Sequence, residues 1–209
     1  ALNQGLTADP FDLGWGVYNF VTHNIVGDSC FVLHTAAGDW KKLRIDGFTA
    51  NSNSFGFTWA APAGSNAQMG TVVRSDYPGK NFAYYNLTPN EPLDLEPASA
   101  DWDLLFTKYI GYVTAPFPAW YPVVGVMQNR MVPALQVDGV PTGSVTFWGQ
   151  GLRDYINVIG FYWKTFNQTT FQWEYAADRT YFVQDRAGSI WKLVFTAYGG
   201  SANGDITFN

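Results

Sequence analysis

The sequence predicts an all-β fold: antiparallel sheets in a sandwich-like arrangement, internally repeated hairpins, and at most one or two short helices. Three observations carry this. One strand–turn–strand pattern is written twice, as Phe31-Val32-Leu33-His34-Thr35-Ala36-Ala37-Gly38-Asp39-Trp40-Lys41-Lys42-Leu43 and as Phe182-Val183-Gln184-Asp185-Arg186-Ala187-Gly188-Ser189-Ile190-Trp191-Lys192-Leu193. In each copy Lys-Leu stands four and five residues after the Gly, with a Trp between. Each copy then runs through a Gly-, Ser- or Asn-bearing stretch into a further short strand, Phe55–Trp59 or Asp205–Asn209. Apolar strand, Gly-bearing turn, apolar strand is a hairpin signature. The third observation is composition: 14% charged and 18% aromatic residues is the reverse of a disordered chain, so most of the 209 residues belong in folded structure.

In chain order, residues 1–14 are polar and read as a leading segment. Trp15 to Trp59 is strand-like, with a turn at Asn24–Asp28 before the first repeat. Residues 60–70 form a loop. Thr71–Arg74 and Phe82–Leu87 read as strands around the turn Tyr77–Lys80. Prolines 92 and 97 bar a long helix over 91–97. Asp101–Val113 alternates and is aromatic-rich, so it reads as a long central strand with Trp102, Leu104 and Phe106 on its buried face. Residues 115–122 carry three prolines and three aromatics and read as a rigid apolar loop. Val123–Val137 is open between strands and a short helix. Gly149–Gly160 is the best helix candidate, with apolar positions at 152, 155, 156 and 159. Strands at Phe161–Lys164 and Phe171–Tyr175 lead into the second repeat. The chain reads as one β-rich domain, 1–209, or as two intimate halves, 1–90 and 91–209.

A net charge of −5, with 12 Lys plus Arg and no basic cluster, argues against nucleic acid and anionic membranes as partners. No apolar run is long enough for a transmembrane helix. The single Cys, Cys30, has no disulfide partner in the chain and reads as a small buried apolar side chain. The start at Ala1, without Met or an apolar leader, leads to the expectation of a mature exported protein. Asn86-Leu87-Thr88 and Asn167-Gln168-Thr169 match the N-glycosylation acceptor pattern.

Catalysis finds little support. The two histidines are His23 and His34, and no Gly-x-Ser-x-Gly elbow is present. A Cys30–His pair is outweighed by an inert strand Cys. No His/Cys group has zinc spacing. Asp101 and Asp103 share a strand face and could do acid–base work on glycosides, but face water or hold a turn on the simpler reading. No Gly-rich loop opens a helix for phosphate. The expectation is a protein that is not an enzyme. What remains is aromatic surface: 9 Trp, 12 Tyr and 16 Phe exceed core needs, and rings at a cleft or interface suit a flat apolar ligand, a carbohydrate or another protein.

Several segments together resemble the HmuY-like family of bacterial surface haem-binding proteins. Asp101-Trp102-Asp103-Leu104-Leu105-Phe106-Thr107-Lys108-Tyr109 is similar to one of that family's strands. Tyr181–Tyr198 followed by Gly204-Asp205-Ile206-Thr207-Phe208 is similar to its closing hairpin. The resemblance covers roughly residues 95–209, and the first repeat echoes the same hairpin. It implies an all-β fold that grips haem between two projecting loops. It also implies export by a gram-negative bacterium, to the cell surface or into the medium. Without an N-terminal lipid-anchor Cys, free secretion fits better. A sorting domain cleaved after Asn209 would also fit.

The sequence departs from the family where its best known member holds iron with two His, because residues 114–180 contain none. Some relatives use Met, which makes Met127 and Met131 candidate haem ligands. Residues four apart on a strand lie about 13 Å apart on one face, and on a helix they point the same way, so a bis-Met site requires a tight reversal. A mixed site with Met69, His23 or His34 is the alternative. Both Met also read as core gap-fillers. His34 reads as structural and His23 as exposed. A second class of function stays open: a structural or adhesive surface protein that keeps the fold without haem and assembles through aromatic patches and strand edges into filaments or a surface layer.

Overall fold

The computed structural model describes residues 9–35, 37–114 and 117–209. The fold is all-β, as the sequence predicts, built of several antiparallel sheets and two single 3-10 turns at Arg74–Asp76 and Ser99–Asp101. Among the described residues no helix is long and apolar enough to cross a membrane. The chain divides into two compact units, the first ending at Pro97 and the second beginning at Ala98.

The first unit contains β1 (Gly16–Tyr18), β2 (Ile25–Gly27), β3 (Cys30–His34), β4 (Trp40–Thr49), β5 (Ser54–Ala60) and β6 (Gln68–Val73) in one sheet. Its order is β1-β2-β4-β5-β6, and β3 pairs with the first half of β4. A bulge at Asp46 shifts the β4–β5 register, and Asp46 is pinned by Arg44 Nε at 2.6 Å and Thr58 Oγ1 at 2.7 Å. The β2 chain runs so close to this bulge that a Cβ on Gly27 would stand 1.7 Å from the Ile45 carbonyl oxygen, so only glycine fits. A separate pair, β7 (Tyr84–Asn86) with β8 (Glu91–Leu93), completes the unit. The expected hairpin around Tyr77–Lys80 does not form, because β6 spends its pairing on β5 and β7 takes β8.

The second unit contains β9 (Leu104–Val113), β10 (Ala119–Gln128), β11 (Ala134–Val137), β12 (Lys164–Asn167), β13 (Gln172–Tyr175), β14 (Thr180–Gln184), β15 (Ile190–Leu193), β16 (Phe195–Tyr198) and β17 (Ile206–Phe208). Its sheets are β9–β10, β11-β14-β15, β12–β13 and β16–β17. They enclose a core of Val126, Val132, Ile159, Trp163, Tyr181 and Phe195 with their neighbours.

The two written repeats are the same device in space. In each hairpin the Gly sits at positive φ, +92° at Gly38 and +87° at Gly188. The N–H of Gly38 donates to Thr35 O at 3.0 Å and that of Gly188 to Asp185 O at 3.0 Å. Asp39 O and Ser189 O each accept from the N–H across the turn at 2.9 Å. This is a three-residue hairpin loop whose last residue needs the left-handed region. In the second copy the Asp185 carboxylate also accepts from Ala187 N, Ser189 N and Trp191 Nε1.

Four further expectations are corrected. Gly149–Gly160 is not helical. Gly149, Gly151 and Gly160 all take positive φ, and the segment's backbone bonds go to strands: Arg153 N to Ala134 O, Gln128 N to Ile156 O and Val126 N to Gly160 O. Residues 119–122 are not loop but the start of β10, with Pro122 opposite Ile110. Proline is tolerated there because β9 is the strand's one partner along that stretch. Ala115 and Pro116 of that expected loop lie outside the described residues. The long strand starts at Leu104, which packs against the core as expected, and beyond it the inward residues are Thr107, Tyr109 and Gly111, while Phe106 is exposed and stacks on Phe208. Leu104 and Leu105 are both half-buried, so the inward positions change phase between Leu104 and Thr107. Cys30 is exposed, not buried.

Candidate ligand-binding cleft

Two hairpins of the second unit frame a cleft of about 410 Å³. The β9–β10 hairpin is ten residues long on each strand, and its outer part pairs Tyr112 with Trp120 and Gly111 with Tyr121. It supplies Val113, Tyr121, Pro122, Val123 and Val124 to one wall. The shorter β12–β13 hairpin supplies Lys164, Thr165, Phe166 and Trp173 to the other. Phe161 and Tyr162, leading into β12, and Tyr198 of β16 close the remaining side.

Each wall is fixed by bonds legible in the chain. Gln128, fully buried, donates from Nε2 to Val132 O at 3.3 Å and accepts Ile159 N at 3.1 Å, which ties the 156–160 segment to β10. That anchoring aims Phe161 and Tyr162. Their rings stack with centroids 4.1 Å apart, and the Tyr162 hydroxyl donates to Tyr112 O at 2.7 Å. Arg179 donates from Nη1 to Tyr162 O at 2.6 Å and from Nε to Asp138 at 2.5 Å. Tyr175 and Tyr198 hold β13 to β16: Tyr198 N donates to the Tyr175 hydroxyl at 2.8 Å. Trp173 meets Tyr198 edge-to-face at 4.9 Å and Phe166 at 5.2 Å. Offset and edge-on pairs of this kind hold rings rigid.

At the base lies Lys164, 8% exposed. Its Nζ donates to Val124 O across the cleft floor. The same ammonium stands 4.2 Å from the Trp163 ring centroid, 4.6 Å from Tyr198 and 5.8 Å from Trp173. Burial pushes its pKa down to about 8. Among the described residues no carboxylate lines the cleft. Tyr109, beneath the cleft at Gly125 and Gly160, is pushed up to about 12 by burial and by the neighbouring Tyr162.

The ligand candidates read from the sequence lie elsewhere. Met127 is half-buried on β10 opposite Leu105, and Met131 is exposed in the turn after that strand. His23, His34 and Met69 belong to the first unit. His23 is exposed at φ +58°, with Nδ1 2.5 Å from the Tyr18 hydroxyl. His34 is exposed, stacked on Trp40 and bonded to Gly38 O. None of these five lines the cleft. Of the glycosylation candidates, Asn86 is exposed on β7, whereas the Asn167 amide nitrogen is engaged by Glu174 at 2.6 Å. Asp101 and Asp103 are exposed around the 3-10 turn that precedes β9. Among the described residues no group of three or more His, Cys, Asp or Glu is placed to hold a metal ion.

The walls of the cleft are apolar and aromatic. The lining does not fit a thioether- or imidazole-held iron, because it contains no Met or His; tyrosine is the one lining residue type that commonly holds haem iron. Lys164 is the cleft residue that sequence reasoning did not single out. Its signal was present in Phe161-Tyr162-Trp163-Lys164, where a cation ends a run of three aromatics entering a strand.

No protein-family model, curated protein or solved structure matches the chain.

Proposed function

We propose that this is a non-enzymatic binding protein that takes a flat apolar ligand between the two hairpins of its second unit, with haem the first ligand to test. The observation that carries the reading is the rigid aromatic cleft itself, concave and apolar with few polar groups, which is the usual character of a small-molecule site. The resemblance to HmuY-like proteins supports it and adds the setting, a secreted or cell-surface protein of a gram-negative bacterium. The ligand is held by its faces, against Phe161, Tyr162, Phe166 and Trp173, rather than by bonds to iron.

An absorbance titration with haem in both oxidation states, run beside metal-free protoporphyrin IX, tests this. The expected result is saturation at one equivalent, with haem and the metal-free ring within about tenfold of each other, because iron adds little. Broad, non-saturating spectra for both would remove the reading. Tight binding of haem alone would return the iron to the centre and direct attention to the lining tyrosines Tyr121, Tyr162 and Tyr198.

A second reading, self-assembly into a filament or surface layer, is favoured by the first unit. Val32 on β3 and Met69 on β6 are 66% and 78% exposed, on strands that lie at the edges of the sheet. Apolar edges invite pairing with another chain. Concentration-dependent sedimentation would support this reading.

A further inference from the structure

We propose that the ligand of the cleft carries a carboxylate, and that Lys164 is its anchor. The inference rests on the binding reading above and specifies the chemistry of that ligand.

Lys164 is a buried cation that makes no ion pair among the described residues. Among the described residues its contacts are one carbonyl oxygen and three aromatic rings, and no acidic side chain lines the cleft with it. The titratable groups around it are tyrosines: Tyr198 and Tyr162 on the lining, Tyr121 on the facing strand, and Tyr175 opposite it in the β12–β13 register. A desolvated ammonium without a counter-ion is costly unless it is paired and hydrogen-bonded. The ring faces and Val124 O offset part of that cost. An ammonium has three donors, and Val124 O takes one.

A carboxylate entering the cleft supplies the missing charge. It accepts from the remaining Nζ donors, and a charge-assisted bond is stronger in a dry site than in water. One lysine matches one negative charge. A phosphate monoester carries about −1.5 to −2 at pH 7, and the lining offers no second cation to meet it. The apolar walls require that the rest of the ligand be flat and hydrophobic. The geometry therefore selects a planar aromatic or macrocyclic acid over a neutral ring or a phosphorylated one.

The test compares protoporphyrin IX, a dicarboxylic acid, with its dimethyl ester, by quenching of tryptophan fluorescence on the full chain. Wild-type protein is expected to bind the acid at least roughly tenfold tighter than the ester, the scale of one charge-assisted hydrogen bond. Lys164→Met is expected to bind both at the weaker ester affinity. Retained ester binding would show that the variant's cleft is intact, and Lys164→Gln serves if Lys164→Met fails to fold. Equal affinity of wild type for acid and ester would overturn the anchor and leave the cleft reading standing. Preference for the acid that survives in both variants would overturn the assignment to Lys164. Failure of wild type to bind either compound would overturn the binding reading and the anchor with it.

Discussion

Trp163→Ala is expected to destabilise the second unit by about 3–5 kcal/mol, the usual range for deleting a buried large aromatic. Trp163 is 1% exposed. Its ring stacks on Phe195 at 4.1 Å and 16°, meets Tyr198 edge-on at 5.8 Å, and lies under the Lys164 ammonium. Truncation leaves a cavity between β12 and β16 and removes one of the three rings that face the buried charge. Both effects act at the cleft base, so ligand binding should fail along with stability. Trp163→Phe should be much milder. It keeps the stack on Phe195 and removes an indole N–H that is buried without a hydrogen-bond partner among the described residues. Such an orphan costs about 1–3 kcal/mol, which offsets part of the lost volume. Urea unfolding followed by near-ultraviolet circular dichroism measures both. Equal loss in the Ala and Phe variants would contradict the packing argument.

The second large effect is a dependence of stability on pH that runs against habit. Burial lowers the Lys164 pKa from 10.5 to about 8. Between those values the unfolded chain holds a proton that the folded chain has released. Stability rises with pH wherever the unfolded state binds more protons. The penalty for burying the ammonium is therefore fully present below pH 8 and relieved as pH climbs, by roughly 2 kcal/mol up to pH 10. Above pH 10 the sign reverses. Tyr109 is raised from 10.0 to about 12, and burial raises Tyr181 as well, so there the folded chain keeps protons that the unfolded chain loses. The second unit should be most stable near pH 10. In Lys164→Met the climb between pH 8 and 10 should vanish while the fall above pH 10 remains. Denaturant midpoints at half-unit pH intervals measure this, and a wild-type profile flat from pH 8 to 10 would contradict it.

The parts of the fold that were legible in the sequence are those written by local chemistry. Gly38 and Gly188 announce the same left-handed turn position, and their flanking strands pair as expected. The alternation from Leu104 to Val113 announces a long strand, and the prolines at 92 and 97 correctly bar a helix. What was missed depends on long-range partners. The apolar spacing of 152, 155, 156 and 159 suits a helix, yet strands β10 and β11 capture that segment's backbone groups and its glycines take the turns. Phe106 fell on the wrong face because the buried side changes phase between Leu104 and Thr107, which strict alternation does not anticipate. The cleft was foreshadowed only as an excess of aromatics. Its walls come from residues as far apart as Val113 and Tyr198, and no local spacing records that meeting. Lys164 owes its setting to Val124, Trp163, Trp173 and Tyr198, which gather around one ammonium from four separate segments or turns of chain and leave no local spacing in the sequence.

The most direct measurement is a protoporphyrin IX titration of wild-type protein against Thr165→Trp, a substitution on the β12 wall that fills the cleft without touching the core. The account predicts saturation at one equivalent in the wild type and a loss of affinity of about a hundredfold or more in the variant, since an indole would occupy the ligand's space. Undiminished binding by Thr165→Trp would place the ligand somewhere other than between these two hairpins and contradict the account.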